Sequence, residues 1–269
     1  MDIKAKTLNA HVPRTSNPGL VQMTAGGVAR NISHNLARLG ENVGLLSVIG
    51  NDANGEMLLA VTKAAGVDVR HVVRVDQATG TYLAVLDATG ELITAVNDMR
   101  LLTTATIEKA HSEISAATMV IADCNLTVES LRAIAAVKLI IEPVSVPKSN
   151  RLLQILQHRE IFLATPNLDQ IEALTGSRNP EAAAKILHQL GLQNIVIHLG
   201  EQGSYAADGA NFTYVPSQAK SIVDVTGAGD AATAGLVQGL LQNLPLAKAA
   251  EIGQEIAAKV IASNSSTLD

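Results

Sequence analysis

Asp224-Val225-Thr226-Gly227-Ala228-Gly229-Asp230 runs at once into the small-residue stretch Ala231 to Leu241, so two glycines and a carboxylate stand at the start of a helix. The glycines permit a tight turn that aims successive backbone N–H groups at one point, and the first amides of a helix have no partner within it. With about half a positive charge added by the helix dipole, the turn suits a phosphate or the negative charge that develops during its transfer. A carboxylate beside that point binds anions poorly but accepts the proton of an attacking hydroxyl well. Taken alone, a G-x-G-D reads more often as glycines that let a helix pack closely on a strand. A second motif is needed.

Ala25-Gly26-Gly27-Val28-Ala29-Arg30-Asn31 supplies one. The double glycine precedes a helix whose apolar positions Val28, Ile32, Leu36 and Leu39 fall on one stripe, read as core, while Arg30, His34 and Arg38 fall on another, read as a solvated face. Asn31 lies in the first turn, where it either bonds local backbone or faces whatever approaches the Gly26-Gly27 turn. The second reading suits sugar hydroxyls.

Between the motifs, strand and helix patterns alternate. Val43 to Ile49, Met119 to Ala122, Leu139 to Glu142, Ile161 to Ala164 and Ile195 to Leu199 read as strands; Glu56 to Ala65, Thr127 to Val137, Asn167 to Leu174 and Glu181 to Leu190 read as helices. This implies a mostly parallel sheet with helices on both faces and a site at the carboxyl ends of the strands. Thr81 to Leu86 and Glu91 to Val96 flank the turn Asp87-Ala88-Thr89-Gly90 and break the alternation as a hairpin. A second hairpin is expected around Asp208-Gly209-Ala210-Asn211.

The two glycine motifs, at these relative positions, resemble the signatures of the ribokinase-like (PfkB) carbohydrate kinases, over nearly the whole chain. Within that family, Ala95 to Met99, Ala122 to Asn125 and Glu142 to Ser149 look most similar to pseudouridine kinases. The resemblance implies a three-layer α/β/α fold in one domain over 1–269, with a small β lid drawn from about 3–24 and 79–98. It implies ATP-dependent phosphorylation of a primary hydroxyl, most specifically the 5′-hydroxyl of pseudouridine. A ribokinase- or fructokinase-like sugar kinase is the alternative, as is a catalytically impaired nucleoside-binding relative.

The resemblance also implies roles. Asp230 would be the base, with the amides of Gly227, Ala228 and Gly229 as anion hole. Asp2, Gly26, Gly27 and Asn31 would hold the ribose, with Asn97 and Tyr82 as lid contacts. Asn167, Gly200, Gly203 and Thr226 would lie against the nucleotide, and Glu142 and Asn167 near Mg²⁺ and its waters. Asp224 would match a site for a monovalent cation such as K⁺, or simply cap the following turn. Lys148 would reach the uracil carbonyls, or stand in solvent at a helix start. Lids of this family often form a dimer interface, so a homodimer through the lid is expected.

Some residues depart from the family pattern. A first core strand is expected before Asp2, and without it a core slot stays unfilled; each buried apolar side chain lost there removes about 1.5–3 kcal/mol. The chain also stops at Asp269, ahead of an expected final helix. In Asn167-Leu168-Asp169-Gln170 a neutral amide stands where a carboxylate is expected, for which Asp169 or Glu172 could substitute. His198 replaces a hydroxyl residue near the phosphates, as an imidazolium or as an ordinary strand-end histidine.

Composition narrows the class further. A chain of 269 residues, 47% hydrophobic, can bury a large core. Its formal charge of −5, with no Lys/Arg run, offers nothing to a polynucleotide. A single cysteine, Cys124, makes neither an internal disulfide nor a multi-cysteine zinc site and reads as a buried thiol. With no membrane-length apolar run and no signal-peptide core at Met1 to Lys6, a cytoplasmic protein is expected. With aromatics at 2% and no Trp, a stacked base platform is not expected. The polar end Ser263-Asn264-Ser265-Ser266 is expected to fray.

Overall fold

Leu139-Ile140-Ile141-Glu142 and Ile161-Phe162-Leu163-Ala164 carry apolar side chains on both faces, the pattern of strands covered from two sides. Both are strands with those bounds in a computed structural model that describes residues 1–99, 104–209, 211–263 and 265–268. In chain order the elements are β1 (Asp2–Thr7), β2 (Gly19–Thr24), α1 (Val28–Arg38), β3 (Ser47–Gly50), α2 (Ala53–Ala64), β4 (Val72–Val75), β5 (Thr81–Leu86) and β6 (Leu92–Asp98). There follow α3 (Thr104–Lys109), α4 (His111–Ala116), β7 (Val120–Asp123), α5 (Val128–Arg132), β8 (Leu139–Glu142), α6 (Val146–Leu156), β9 (Ile161–Ala164), α7 (Leu168–Thr175) and α8 (Pro180–Gln189). The chain then forms β10 (Leu192–His198), β11 (Gly203–Ala207), β12 (Phe212–Pro216), α9 (Ala228–Leu241) and α10 (Leu246–Ile261).

Six strands in the order β12-β11-β10-β9-β8-β7 make the central sheet, parallel from β10 to β7 and antiparallel at β11 and β12. Leu139 and Ile141 face a core shared with Leu131, Leu152, Ile155, Ile171 and Leu187. Ile140 between them faces the opposite core, with Ile32 and Leu36 of α1, Val237 of α9 and Ala249 of α10. Helices therefore cover both faces, giving three layers. A separate four-stranded sheet, β2-β1-β5-β6, is built from the stretches expected to form a lid.

β3 and β4 form a parallel pair apart from the central sheet. Between β3 and β7 lies a cavity of about 760 Å³, walled by Val48, Ile49, Ile121, Ala122, Ile32 and Val237. β3 is shorter than the run from Val43, because Gly44 makes only an isolated bridge to Asp68 while Leu45 turns into a small core with Ala65 and Val67.

Three other expectations are corrected. α5 ends at Arg132, short of Val137, because the carbonyls of Ile134 and Ala136 accept from the Arg159 guanidinium at 2.6 Å each. Arg30 and His34 are buried, and only Arg38 of their stripe faces solvent. The C-terminal residues are seated on α1: Leu268 N–H donates to Asn35 Oδ1 (2.8 Å), and His34 Nε2 donates to the Leu268 carbonyl (3.0 Å). Thr267 is buried with them. Ala210 of the second hairpin and Asn264 of the polar end lie outside the described residues; β11 and β12 flank that hairpin as expected.

Candidate active site

Gly227 caps α9 with φ 79°, a left-handed conformation that favours glycine. A Cβ there would lie 2.1 Å from the Ser266 carbonyl oxygen, whereas one at Gly229 would meet nothing within 4 Å. Gly227 therefore serves close packing, though against the C-terminal segment and not against a strand, and the space above Gly229 is open. Asp230 follows in the first turn of α9, where the helix dipole favours negative charge.

The two glycine motifs meet through one hydrogen bond: Asn31 Nδ2 donates to Asp230 Oδ2 at 2.7 Å. Asn31 Oδ1 in turn accepts from Arg30, whose guanidinium also donates to the carbonyls of Gly26 (2.9 Å) and Ala25 (3.0 Å). Arg30 thus fixes the amide that fixes Asp230. Burial lowers the guanidinium's pKa, and the charges of Asp2 and Asp230 oppose that shift. Sequence reasoning missed this residue; its place between the Gly-Gly turn and Asn31 was the available signal.

Asp2 reaches the same turn. A Cβ on Gly26 would fall 2.0 Å from its Cγ, so the carboxyl lies directly over the glycine. Asp2, Tyr82 and Asn97 stand in register across β1, β5 and β6, one row of that separate sheet. Asn97 is exposed on β6. Burial raises the pKa of Asp2, against the pull of the N-terminal ammonium, Arg30 and Lys4.

Asp123 and Glu142 are register partners at the ends of β7 and β8. Asp123 accepts from the Asn125 amide (2.8 Å) and from the Ala29 amide at the start of α1 (3.2 Å). Glu142 accepts from Thr165 Oγ1 (2.6 Å) and the Val144 amide (3.2 Å). Desolvation raises the pKa of both, Glu142 to about 7. Asp230 is pushed well above the usual carboxylate range, first by burial and then by Glu142 and Asp123, against the Asn31 hydrogen bond. Asp123 was not among the expected site residues, although it ends a strand as such residues do.

Glu142 and Asp123 both raise the pKa of Asp230, and Asp123 raises that of Glu142, a repulsion that a cation among them would relieve. Among the described residues no group of three or more His, Cys, Asp or Glu side chains forms a metal cage. Hard oxygens from one or two carboxylates, completed by water and phosphate, are what Mg²⁺ takes, and Glu142 fits that pattern.

Glu142 also makes a pH test. It holds its proton to about pH 7 when folded, against 4.5 when free. The folded state therefore binds more protons between those values and loses stability as pH rises through them. Glu142→Gln removes this loss: from pH 5 to pH 8 its stability relative to the parent should grow by up to about 3 kcal/mol. Urea melts at both pH values check this; an unchanged difference would count against a shifted Glu142.

Around this centre the remaining candidates divide. Lys148 Nζ donates to Asn125 Oδ1 (2.5 Å) and is half-buried beside Asp123; desolvation lowers its pKa while Asp123 opposes the shift. Asp224 is paired with the Lys4 ammonium of β1 at 2.9 Å, and Lys4 also donates to Thr226 Oγ1. Positive charge at Asp224 is therefore supplied from within the chain. Asn167 and Gln170 form a capping box, each side chain accepting the other's backbone N–H at 2.9 Å. Asp169 and Glu172 pair with Arg178 on an exposed face (2.8 and 2.7 Å), so neither replaces a carboxylate at Gln170.

Beyond the strand ending at His198, Gly200 (φ 64°) has open space at its Cβ position, while Gly203 (φ 110°) is crowded by Val215 and Ser217 backbone. Among the described residues His198 Nε2 has no hydrogen-bond partner, and burial lowers its pKa to about 4, so the ring is neutral near pH 7. The Cys124 thiol is buried and pushed up to about 12, as its inert reading requires.

A carboxyl held by an amide at a helix start thus stands near a polar row of the separate four-stranded sheet. An uncharacterized sugar kinase of Escherichia coli K12, YeiI, is 36% identical, with 98% of this chain and 76% of that protein covered. Pseudouridine kinase of the same strain is 37% identical, covering 89% and 80%. Arabidopsis thaliana ribokinase, solved with ribose and ATP, matches at TM-score 0.83 and 20% identity over 100% of this chain and 92% of that one, a likeness of fold. The pfkB family carbohydrate kinase profile matches residues 1–269. The fold is ribokinase-like, and the chain belongs to the pfkB family of carbohydrate kinases.

Proposed function

We propose that the chain transfers the γ-phosphoryl group of ATP to the 5′-hydroxyl of a ribosyl nucleoside, foremost pseudouridine. The observation that carries the chemistry is the Asn31–Asp230 hydrogen bond beside an unobstructed Gly229. Asp230 accepts the hydroxyl proton, and its raised pKa suits a base that must gain a proton in the transition state. The amides of Gly227, Ala228 and Gly229 receive the phosphoryl oxygens, and in-line alignment supplies much of the acceleration. Asp2, Gly26, Gly27 and Asn31 hold the ribose, while the lid row of Asp2, Tyr82 and Asn97 closes over it and excludes water. Thr226, Gly200 and Gly203 border the nucleotide. Glu142, with Asn167 near it, would hold Mg²⁺ through its waters, and the ion would supply neutralisation of phosphate charge.

The half-buried ammonium of Lys148, beside the site carboxyls, supports recognition of the base through its carbonyl oxygens. The 37% identity to a pseudouridine kinase supports the same choice. The exposed apolar side chains Leu20, Val21, Met23 and Val96 on β2 and β6 support a homodimer through the lid, which sedimentation checks.

The test is incubation of the purified chain with ATP, Mg²⁺, K⁺ and equimolar pseudouridine, uridine, ribose and fructose, with products read by mass spectrometry. Pseudouridine 5′-phosphate should dominate. Preferential phosphorylation of ribose or fructose would replace the nucleoside reading with a sugar kinase. The neutral Gln170, occupied in its capping box, favours a second reading, an impaired nucleoside-binding relative. That reading requires thermal stabilisation by pseudouridine with no product.

A further inference from the structure

Strand β1 reaches both glycine motifs from one face. Side chains two apart on a strand point the same way, and Asp2 lies over Gly26 while Lys4 extends to the turn that opens α9. Lys4 Nζ donates to Asp224 Oδ2 at 2.9 Å and to Thr226 Oγ1, across 220 and 222 positions of sequence. An exposed ion pair contributes little, but only 28% of the Lys4 side-chain surface is exposed and its ammonium makes two charge-assisted contacts.

Both oxygens of Asp224 are engaged in this arrangement. Oδ1 accepts from the Thr226 amide at 2.8 Å and Oδ2 takes the ammonium. The neighbouring Ile261 carbonyl is engaged as well, accepting from the Val223 and Asp224 amides at 2.8 and 3.3 Å. A monovalent cation at Asp224 would have to displace a group that carries the same charge at the same oxygen. The donor set therefore does not fit a resident K⁺.

The turn depends on such polar contacts. Ile222, Val223 and Val225 are all more than half exposed, so burial of their side chains does little to hold it. What it holds lies immediately downstream, where the Ala228 amide donates to the Val225 carbonyl at 3.2 Å and α9 begins.

We infer that Lys4 is a positioning residue: its ammonium takes the place of a monovalent cation at Asp224 and holds the turn that presents the Gly227 to Gly229 amides, so that turnover needs no K⁺. Lys4 keeps its protons throughout and acts through the turn. The kinetic part rests on the proposed kinase reading, whereas the ordering of the turn is a property of the fold and is read separately.

The test compares the parent with Lys4→Ala and with Lys4→Met, which keeps the aliphatic stem and removes the charge, in K⁺ and in tetramethylammonium at equal ionic strength. Amide exchange at Thr226 and Ala228 should be the same for the parent in both media. In tetramethylammonium both variants should exchange about tenfold faster at Thr226, and K⁺ or ethylammonium should return the protection in Lys4→Ala. With the acceptor that the parent turns over, kcat of the variants should fall about tenfold or more without K⁺ while KM for that acceptor stays within about threefold, and ethylammonium should rescue Lys4→Ala. Parental turnover that rises about tenfold with K⁺ would overturn the inference. Exchange at Thr226 unchanged in Lys4→Met would overturn it too, even if Lys4→Ala fails to fold. A parent with no turnover on any acceptor would count against the kinase reading alone, and the exchange rates would still uphold or overturn the tether.

Discussion

Asp230→Asn is expected to lower kcat by about 10²- to 10⁴-fold, the range for removal of a positioned general base, with little change in KM for the acceptor. The substituted amide oxygen can still accept from Asn31 Nδ2, which meets the carboxylate at 2.7 Å, so the motif contact survives while the proton acceptor is lost. Stability should move the other way. Burial and the neighbouring Glu142 and Asp123 raise the pKa of Asp230, so its ionised form at neutral pH costs folding free energy. The variant should therefore be as stable as the parent or more so at pH 8, with the gain shrinking toward acid pH as the parental carboxyl protonates. Steady-state kinetics and urea melts on one preparation read both effects. Turnover above about a tenth of parental would remove Asp230 from the role of base.

Gly227→Ala and Gly229→Ala should separate packing from chemistry within three residues. At Gly227 an alanine carries the left-handed backbone cost of about 1–2 kcal/mol, and its methyl would stand 2.1 Å from the Ser266 carbonyl oxygen. The C-terminal residues must then leave α1, giving up the Leu268 contacts with Asn35 and His34. A fall in Tm of roughly 5 °C or more is expected. At Gly229 the methyl meets nothing within 4 Å, so Tm should hold to within about 1 °C. The same methyl stands where the phosphoryl group is proposed to pass, and kcat/KM should drop about tenfold or more. Unchanged activity in Gly229→Ala would move the phosphate path elsewhere.

What could be read in the sequence, and what could not, follows from the range of each interaction. β8 and β9 were legible to the residue because their side chains are apolar on both faces and their ends are punctuated. The lid hairpin was legible through Asp87, whose Oδ1 accepts from the amides of Thr89, Gly90 and Glu91. Asp230 and Asn31 stood out because glycines precede both. Helical spacing grouped Arg30 with His34 but could not distinguish solvent from a polar interior. Their partners are Gly26, Ala25 and Leu268, the last more than two hundred residues away. The early end of α5 depends likewise on Arg159, which no local pattern connects to Ile134.

The Asn31–Asp230 contact spans 199 positions of sequence. A ribosome adding about 5–20 residues per second exposes the amide roughly 10–40 s before it makes the carboxylate. During that interval the nascent chain has the residues proposed to hold the ribose but lacks the carboxylate proposed as base. A prematurely terminated product lacking α9 would therefore hold no activated hydroxyl and would consume no ATP through this site.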